Sequence, residues 1–494
     1  MSRVRRLLTT RSAVRSGLVT GLAQVALSLA AAGAGALLAQ KFGRTAETDG
    51  FLAAYAVYTL LVLAAQAFRL VVVPDLTRAA AEGRLGGEAR AYAISFLALA
   101  VPVCVVVGLL SRPLGELVTG ALPESSAHVA GRALVILVPA AFGQLLAALA
   151  ASVLAALDSY ATAAVGFGTS GLVGLAVFAA LANSVHIIAL AWALAVNAAV
   201  ALAVPVVALL RRRALAGPDA PLVVGSRLWN LLQGAAVPLA LQACYLVALR
   251  FCAHLGVGSV TSFTYAYLAA STLVGATGFA LGIISSAPLT RRGVDAEEAG
   301  AHVVHAAWVS LTFVGAAAGV FALVGGRIVH LVLGDQYAGK VGRNLGLLVV
   351  YLSPWMVAWI GFVVTFPLVF VAARRRLLVP IALAGFAVML PLGFALRAAW
   401  GMPGIAVALG LSTLVIALGL MWAIDPRTLA IALVGLARLS LALGGASALA
   451  FGALSLAVSP IGAALLGIVV YTLIVLSLRS LGLRDAWTYV RGLH

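Results

Sequence analysis

Along this chain apolar residues gather into runs of about 20, each long enough to cross a hydrocarbon core roughly 30 Å thick. Polar and charged residues fall mainly in the short stretches between them. The pattern predicts fourteen membrane-spanning helices, near residues 17–40, 51–73, 91–110, 133–157, 161–182, 187–210, 231–253, 260–287, 303–324, 345–372, 378–396, 403–424, 439–458 and 461–478. Two connections are tight, at 158–160 and 183–186, and the tenth run is interrupted by Pro354 and Pro367.

The runs also repeat. Val-Val-Pro-Asp-Leu-Thr-Arg around Pro74 is echoed by Ser-Ala-Pro-Leu-Thr-Arg around Pro288, each where an apolar run ends and a basic stretch follows. Upstream, Lys41-Phe42-Gly43 and 51–55 match His254-Leu255-Gly256 and 263–267, while downstream Pro139 pairs with Pro354 and Gly171 with Gly385. Such internal repeats are the mark of transporters built from two related halves, with the substrate handled near the bilayer midplane. The expected fold is an all-α polytopic membrane protein: about fourteen transmembrane helices in two parallel six-helix lobes, plus two extra C-terminal helices. Residues 1–210 would carry spans one to six, 211–227 a cytoplasmic linker with Gly217-Pro218 and Pro221, and 228–424 spans seven to twelve. Residues 425–494 would carry spans thirteen and fourteen and a cytoplasmic C-terminus. An even number of crossings per half makes the halves parallel.

Composition agrees with this picture and narrows it. With 494 residues, 63% of them hydrophobic and 10% charged, the chain cannot cover a water-soluble surface. The net charge of +17 suggests nucleic acid until its distribution is considered. Of the 32 Lys and Arg residues, 22 fall in alternate loops together with both termini, eight in the opposite loops and two inside spans. That bias puts both termini in the cytoplasm. The excess is then topology plus attraction to anionic lipids, worth on the order of 1 kcal/mol per residue near the surface, and no nucleic-acid partner is expected because aromatics are not interleaved. Residues 1–16 do not read as a cleavable signal peptide. Cys104, Cys244 and Cys252, scattered among apolar runs, suggest packing rather than a metal or disulfide.

Chemistry is sought first among charges inside the membrane, which cost about 2.5–3.5 kcal/mol each at a helix centre. Arg69 and Arg250 are the two, each four or five residues from a predicted span end. Either snorkels to its interface, or it grips an anion such as a pyrophosphate, for which a guanidinium fork is suited. Gln24, Gln66, Gln144, Gln242, Tyr245, Tyr265 and Tyr267 lie at similar depths and are either interhelical hydrogen-bonders or a lining for sugar hydroxyls. All fifteen carboxylates fall in loops or at span ends, which removes the acidic site that an ion-coupled drug antiporter needs. Glu47-Thr48-Asp49 offers a carboxylate pair to a divalent metal, as a polyprenyl-dependent membrane glycosyltransferase would require; an N-cap at Thr48/Asp49 explains it more simply. His302 and His305 read as an interfacial helix start. The glycines within spans read as close-packing positions.

The stretch from Ala39 through Lys41-Phe42-Gly43 and Thr48-Asp49-Gly50-Phe51 to Val73-Pro74 resembles the first two helices of the lipid II flippase (MviN/MurJ-type) family, within the multidrug/oligosaccharidyl-lipid/polysaccharide exporter superfamily. Residues 154–161, Gly258-Ser259-Val260, Tyr265-Ala266, Pro288-Leu289-Thr290-Arg291, Tyr351 and 401–404 resemble later parts of the same family. The resemblance implies a non-enzymatic flippase without cofactors. It would act as a monomer in the bacterial plasma membrane, moving an undecaprenyl-pyrophosphate-linked saccharide by alternating access, with anionic lipids around it. Asp49 matches an outer-loop aspartate of that family, whereas the family's arginines in helices one, two and eight meet apolar or small residues around 27–33, 62 and 268. The implied substrate is therefore lipid II or a related polysaccharide unit, handled by Arg69, Arg250, Asp49, Gln24, Gln66, Gln242, Tyr245 and Tyr267. A drug or cation antiporter of the multidrug-extrusion (MATE) type is the alternative, with the glycosyltransferase behind it.

Overall fold

The computed structural model describes residues 22–23, 26–292, 295–372 and 374–478, with the side chains of all of these except 66–70, 276–292 and 371. Regular structure among them is entirely helical, the form in which a chain in lipid satisfies its own backbone. The chain divides into two compact units, Met1–Gln242 and Ala243–His494.

The first unit holds α1 (Ala26–Phe42), α2 (Ala46–Ala81), α3 (Leu85–Leu109), α4 (Ser111–Thr119), α5 (Glu124–Ala156), α6 (Tyr160–Leu181), α7 (Ile188–Arg211) and the first part of α8 (Val224–Ala253). The second holds the rest of α8, then α9 (Ser259–Arg292), α10 (Ala296–Leu333), α11 (Gly339–Tyr351), α12 (Ser353–Val371), α13 (Leu378–Trp400), α14 (Met402–Ile424), α15 (Pro426–Ser455) and α16 (Pro460–Ser477). Twelve helices among the described residues are long and apolar enough to cross a membrane. With the shorter apolar α1 and the 34-residue α9 they correspond to the fourteen runs.

Two boundaries differ from the sequence pattern. The helices α2 and α9 do not stop at Pro74 and Pro288 but run through them, to Ala81 and Arg292. A membrane helix absorbs a missing N–H by local adjustment instead of ending. The tenth run does break, at Leu352, and Pro354 opens α12 where its missing donor costs nothing. In the first unit Pro139 sits inside an unbroken α5 instead, so the two halves part company at this position. The short α4 was not foreseen; its Gly115 meets the backbone of Ala127 and Gly131 on α5, leaving no room for a Cβ.

In the first unit α5 is central, packing on α2, α3, α4 and α7, with α6 against α7. Gly50 on α2 lies against the Ser126 backbone, and the Ser126 hydroxyl donates to Ala46 O at 2.6 Å. On α6, Gly168 and Gly171 face Ala23 and Leu27, while Gly166 and Gly174 face Val204 and Asn197 of α7. Small residues let these backbones approach where hydrophobicity gives no drive for association.

The stretch between α7 and α8 is fastened rather than free. Arg90 on α3 donates to Leu215 O, to Gly217 O at 2.8 Å and to Asp219 at 2.7 Å. Gly86 and Gly87 lie so close to the Ala216 and Pro218 carbonyls that side chains would not fit. Beside them Arg227 of α8 pairs with Glu88, and its guanidinium lies 4.7 Å from the Tyr92 ring centroid. Tyr92 in turn donates to Asp75 at 2.7 Å. Residues read from the sequence only as topological charges thus join α2, α3, the linker and α8.

In the second unit α14 is buried among α12, α13 and α15, and α10 packs on α15, α16, α11 and α12. Thr428 Oγ1 donates to Ala296 O and Ser447 Oγ to Gly315 O, at 2.9 and 2.7 Å, so α10 and α15 run parallel in one register.

Candidate functional site

The sequence-derived candidates fall at different places. Gln24 lies outside the described residues, as do the side chains of Gln66 and Arg69. The backbone still places Arg69. It lies twelve residues before the end of α2, about 18 Å along the axis, and not one turn from a helix end as expected. Gln66 is three positions earlier, on the same face.

Asp49 sits in the first turn of α2, twenty residues before Arg69 and thus about 30 Å away along the helix. No compact site includes both. The N-cap is Thr45, not Thr48 or Asp49: its side chain accepts from Thr48 N at 3.2 Å, because the helix starts five residues earlier than the apolar run. Asp49, expected in a loop, is thereby drawn into the helix and fully buried. Glu47 is exposed. Two residues apart on a helix point away from each other, so these carboxylates are not arranged as a metal-binding pair.

The glutamines are hydrogen-bonded inside the first unit. Gln242 Nε2 donates to Thr59 Oγ1 at 2.7 Å, and Gln144 Nε2 to Asn197 Oδ1 at 2.6 Å. Both side chains are buried, and both hold helices together.

A second cluster gathers in the other unit. Tyr245 stacks on Tyr267 with ring centroids 4.0 Å apart, and its hydroxyl meets Thr264 Oγ1 at 3.1 Å. Tyr267 leads to Trp355 at 4.7 Å, and along α12 the rings continue through Trp359, Phe362, Phe366 and Phe370 at 5.2 to 5.3 Å. Offset and tilted contacts of this kind are favourable beyond the area they bury. This wall was not foreseen from the sequence, although the spacing 355, 359, 362, 366, 370 sets all five rings on one helix face. Tyr265 turns elsewhere and meets Tyr337 edge-on at 5.7 Å.

Arg250 lies in the last turn of α8, where a helix dipole favours a cation. Its Nη1 is buried with no hydrogen-bond partner among the described residues. A buried guanidinium nitrogen left unpaired is costly, which makes this atom a place, among the described residues, where an anionic acceptor is wanted. Nearby on α13, Arg397 lies over Phe251, the residue after Arg250, 5.5 Å from the ring centroid.

His302 is buried six positions into α10, not at an interfacial helix start, since the N-cap is Asp295. Cys244 and Cys252 are buried and Cys104 half-buried, and among the described residues no group of three metal-ligating side chains gathers.

The fold is shared with solved transporters. A lipid II flippase, MurJ, in an inward closed conformation superposes with a TM-score of 0.71 over 95% of this chain and 99% of that one, at 13% identity. An inward-facing multidrug resistance MATE family transporter of the MOP superfamily gives 0.62 at 14% identity, over 82% and 95%. A eukaryotic MATE transporter, AtDTX14, gives 0.60 at 13% identity, over 86% and 99%. No family model matches the sequence, and no curated protein does.

Proposed function

We propose that this protein is a flippase that moves an undecaprenyl-pyrophosphate-linked saccharide, lipid II or a related polysaccharide unit, across the bacterial plasma membrane by alternating access. It acts as a monomer with both termini in the cytoplasm. The observation that carries the reading is Arg250 Nη1, buried at the end of α8 with no hydrogen-bond partner among the described residues. A diphosphate oxygen supplies the acceptor that this nitrogen lacks, and a guanidinium holds such an oxyanion directionally. Arg69, well inside α2, is the second cation on the route. The buried aromatic stack from Tyr245 to Trp355 joins α8, α9 and α12. Support from the fold comes from its full-length likeness to a lipid II flippase.

The test follows a fluorescent undecaprenyl-pyrophosphate saccharide in reconstituted vesicles by its accessibility to an added quencher. Wild-type protein should move the probe. Arg250→Ala should slow it by about tenfold or more, in keeping with the loss of one charge-assisted contact of about 1.5–3 kcal/mol, and Arg250→Lys should restore part of the rate. Absence of movement for every such lipid would overturn the proposal.

A cation-coupled antiporter of the MATE type is the second reading. Buried Asp49 favours it, since a carboxylate held out of water is the usual place for a coupling ion. Ion-driven efflux that Asp49→Asn abolishes would select it.

A further inference from the structure

The C-terminal end of α10 and the start of α11 lie backbone against backbone. A Cβ on Gly325 would meet Gly346 Cα at 2.9 Å, one on Gly326 would meet Arg343 N and Cγ at 3.0 Å, and one on Gly342 would strike Tyr337 O and Gly326 O. Later positions on α11 face earlier ones on α10, so the two helices are antiparallel. The packing sets Arg343 against the residue that precedes Arg327, and Lys340 stands three positions before Arg343 on the same face. Arg327, Lys340 and Arg343 are all exposed, and among the described residues no carboxylate pairs with any of them. Asp335, the one acid in the stretch 327–344, is met by His330 at 2.8 Å.

Such a cluster is unfavourable by itself. Like charges on neighbouring positions repel, and Lys340 stands in the first turn of α11, where the helix dipole disfavours a cation. Three of the eight Lys and Arg residues assigned to the outer side are gathered here, against the usual bias. Depth follows from length. The uncharged stretch 306–326 of α10 covers about 30 Å, the thickness of a hydrocarbon core. Arg327 is the first charge beyond it and Arg343 is level with its end, so the cluster stands in a phosphate layer, the outer one in the orientation proposed above. From Arg343 the helix α11 runs back toward the midplane, and Leu347 and Tyr351 follow at one-turn intervals on the same face, both exposed.

We propose that Arg327, Lys340 and Arg343 form a binding site for a lipid-borne diphosphate, the station at which the transported lipid leaves; as an exit station it rests on the flippase reading. Charge complementarity selects the occupant. A diphosphate brings two negative charges to three adjacent cations, whereas the phosphodiester of an ordinary phospholipid brings one and leaves most of the cluster uncompensated. The two guanidinium forks each take a pair of oxygens, and the ammonium of Lys340 adds a point charge. The polyprenyl chain passes Leu347 and Tyr351, so the headgroup lies outward and the tail toward the midplane, in the order that the depth of these residues requires. Exposure keeps each contact weak, which suits a place of release, and the site is separate from Arg250 on α8.

Equilibrium binding of radiolabelled farnesyl diphosphate to the detergent-purified protein tests this, with Arg250→Ala as the background so that the other cation is absent. Binding should be saturable, and phosphatidylglycerol should compete far less well than unlabelled farnesyl diphosphate. Arg327→Gln with Arg343→Gln should weaken it about 25-fold, at about fivefold for each cation near an anionic group, and Arg327→Lys with Arg343→Lys should restore part. Because these side chains are exposed and unpaired among the described residues, the unfolding temperature should not fall. Arg132→Gln, which removes an exposed arginine of the first unit, should bind as the background does. Undiminished binding by the double Gln variant, or equal competition by phosphatidylglycerol, would overturn the site while leaving the vesicle result untouched. Binding as expected in a protein that moves no lipid in vesicles would sink the flippase reading and leave the diphosphate site standing.

Discussion

Arg227 grips Glu88 through both carboxylate oxygens, at 2.7 and 3.1 Å, across 139 residues of sequence. Both side chains are mostly enclosed, at 11% and 17% exposure. Breaking such a pair leaves an uncompensated charge, at a cost of about 3–5 kcal/mol. Arg227→Ala should therefore lower the unfolding temperature of the detergent-purified protein markedly, while Arg227→Met with Glu88→Leu should recover much of the loss. An Arg227→Ala protein that melts with the wild type would show that the pair contributes nothing.

Gly319 on α10 and Gly467 on α16 both lie against the Phe451 ring, where a Cβ would collide. Gly319→Val should cost about 1–3 kcal/mol through overpacking. Gly444→Ala, with open space around it, should be neutral or slightly stabilising. Thermal retention of monodisperse protein compares the two.

Gln242→Leu leaves the Thr59 hydroxyl without its donor, and interhelical hydrogen bonds in membranes are worth about 0.6 kcal/mol and up to about 1.7. A small drop in stability is expected from it. The double variant with Thr59→Val should regain most of that drop, and a double-mutant cycle of unfolding free energies checks the coupling.

Trp355 is 1% exposed and joins Tyr267 to Trp359. Trp355→Ala should cost about 3–5 kcal/mol as a cavity opens, against about 1 kcal/mol for Tyr245→Phe, which removes the hydroxyl that meets Thr264. Comparable losses from both, measured by chemical unfolding, would mean that the wall is not a packed unit.

The proposed orientation has its own check. Cysteines placed at exposed Lys340 and Arg375, in a background lacking Cys104, Cys244 and Cys252, should differ towards an impermeant maleimide. Lys340→Cys should react in intact cells, and Arg375→Cys only after permeabilisation. The reverse pattern would invert the topology.

The apolar crossings and the tight turns at 158–160 and 183–186 were legible because the bilayer imposes a length and an apolar composition on every crossing. That constraint acts residue by residue, so it survives without any knowledge of neighbours. Helix ends were less legible. Continuation through Pro74, the start of α15 at Pro426 and the cap at Thr45 lie in headgroup-level stretches where the hydropathy signal has already faded.

What the sequence by itself determined is therefore an all-helical membrane protein with a two-part repeat and a lopsided charge, since these follow from composition and order alone. Only the tertiary structure decided which polar groups are satisfied. It paired Gln242 with Thr59 and Arg227 with Glu88, buried Asp49, stacked Tyr245 on Tyr267, and left Arg250 Nη1 without an acceptor among the described residues. Each of those outcomes depends on partners brought together by packing of helices far apart in the chain, and a hydrogen bond is defined by the geometry of both its ends.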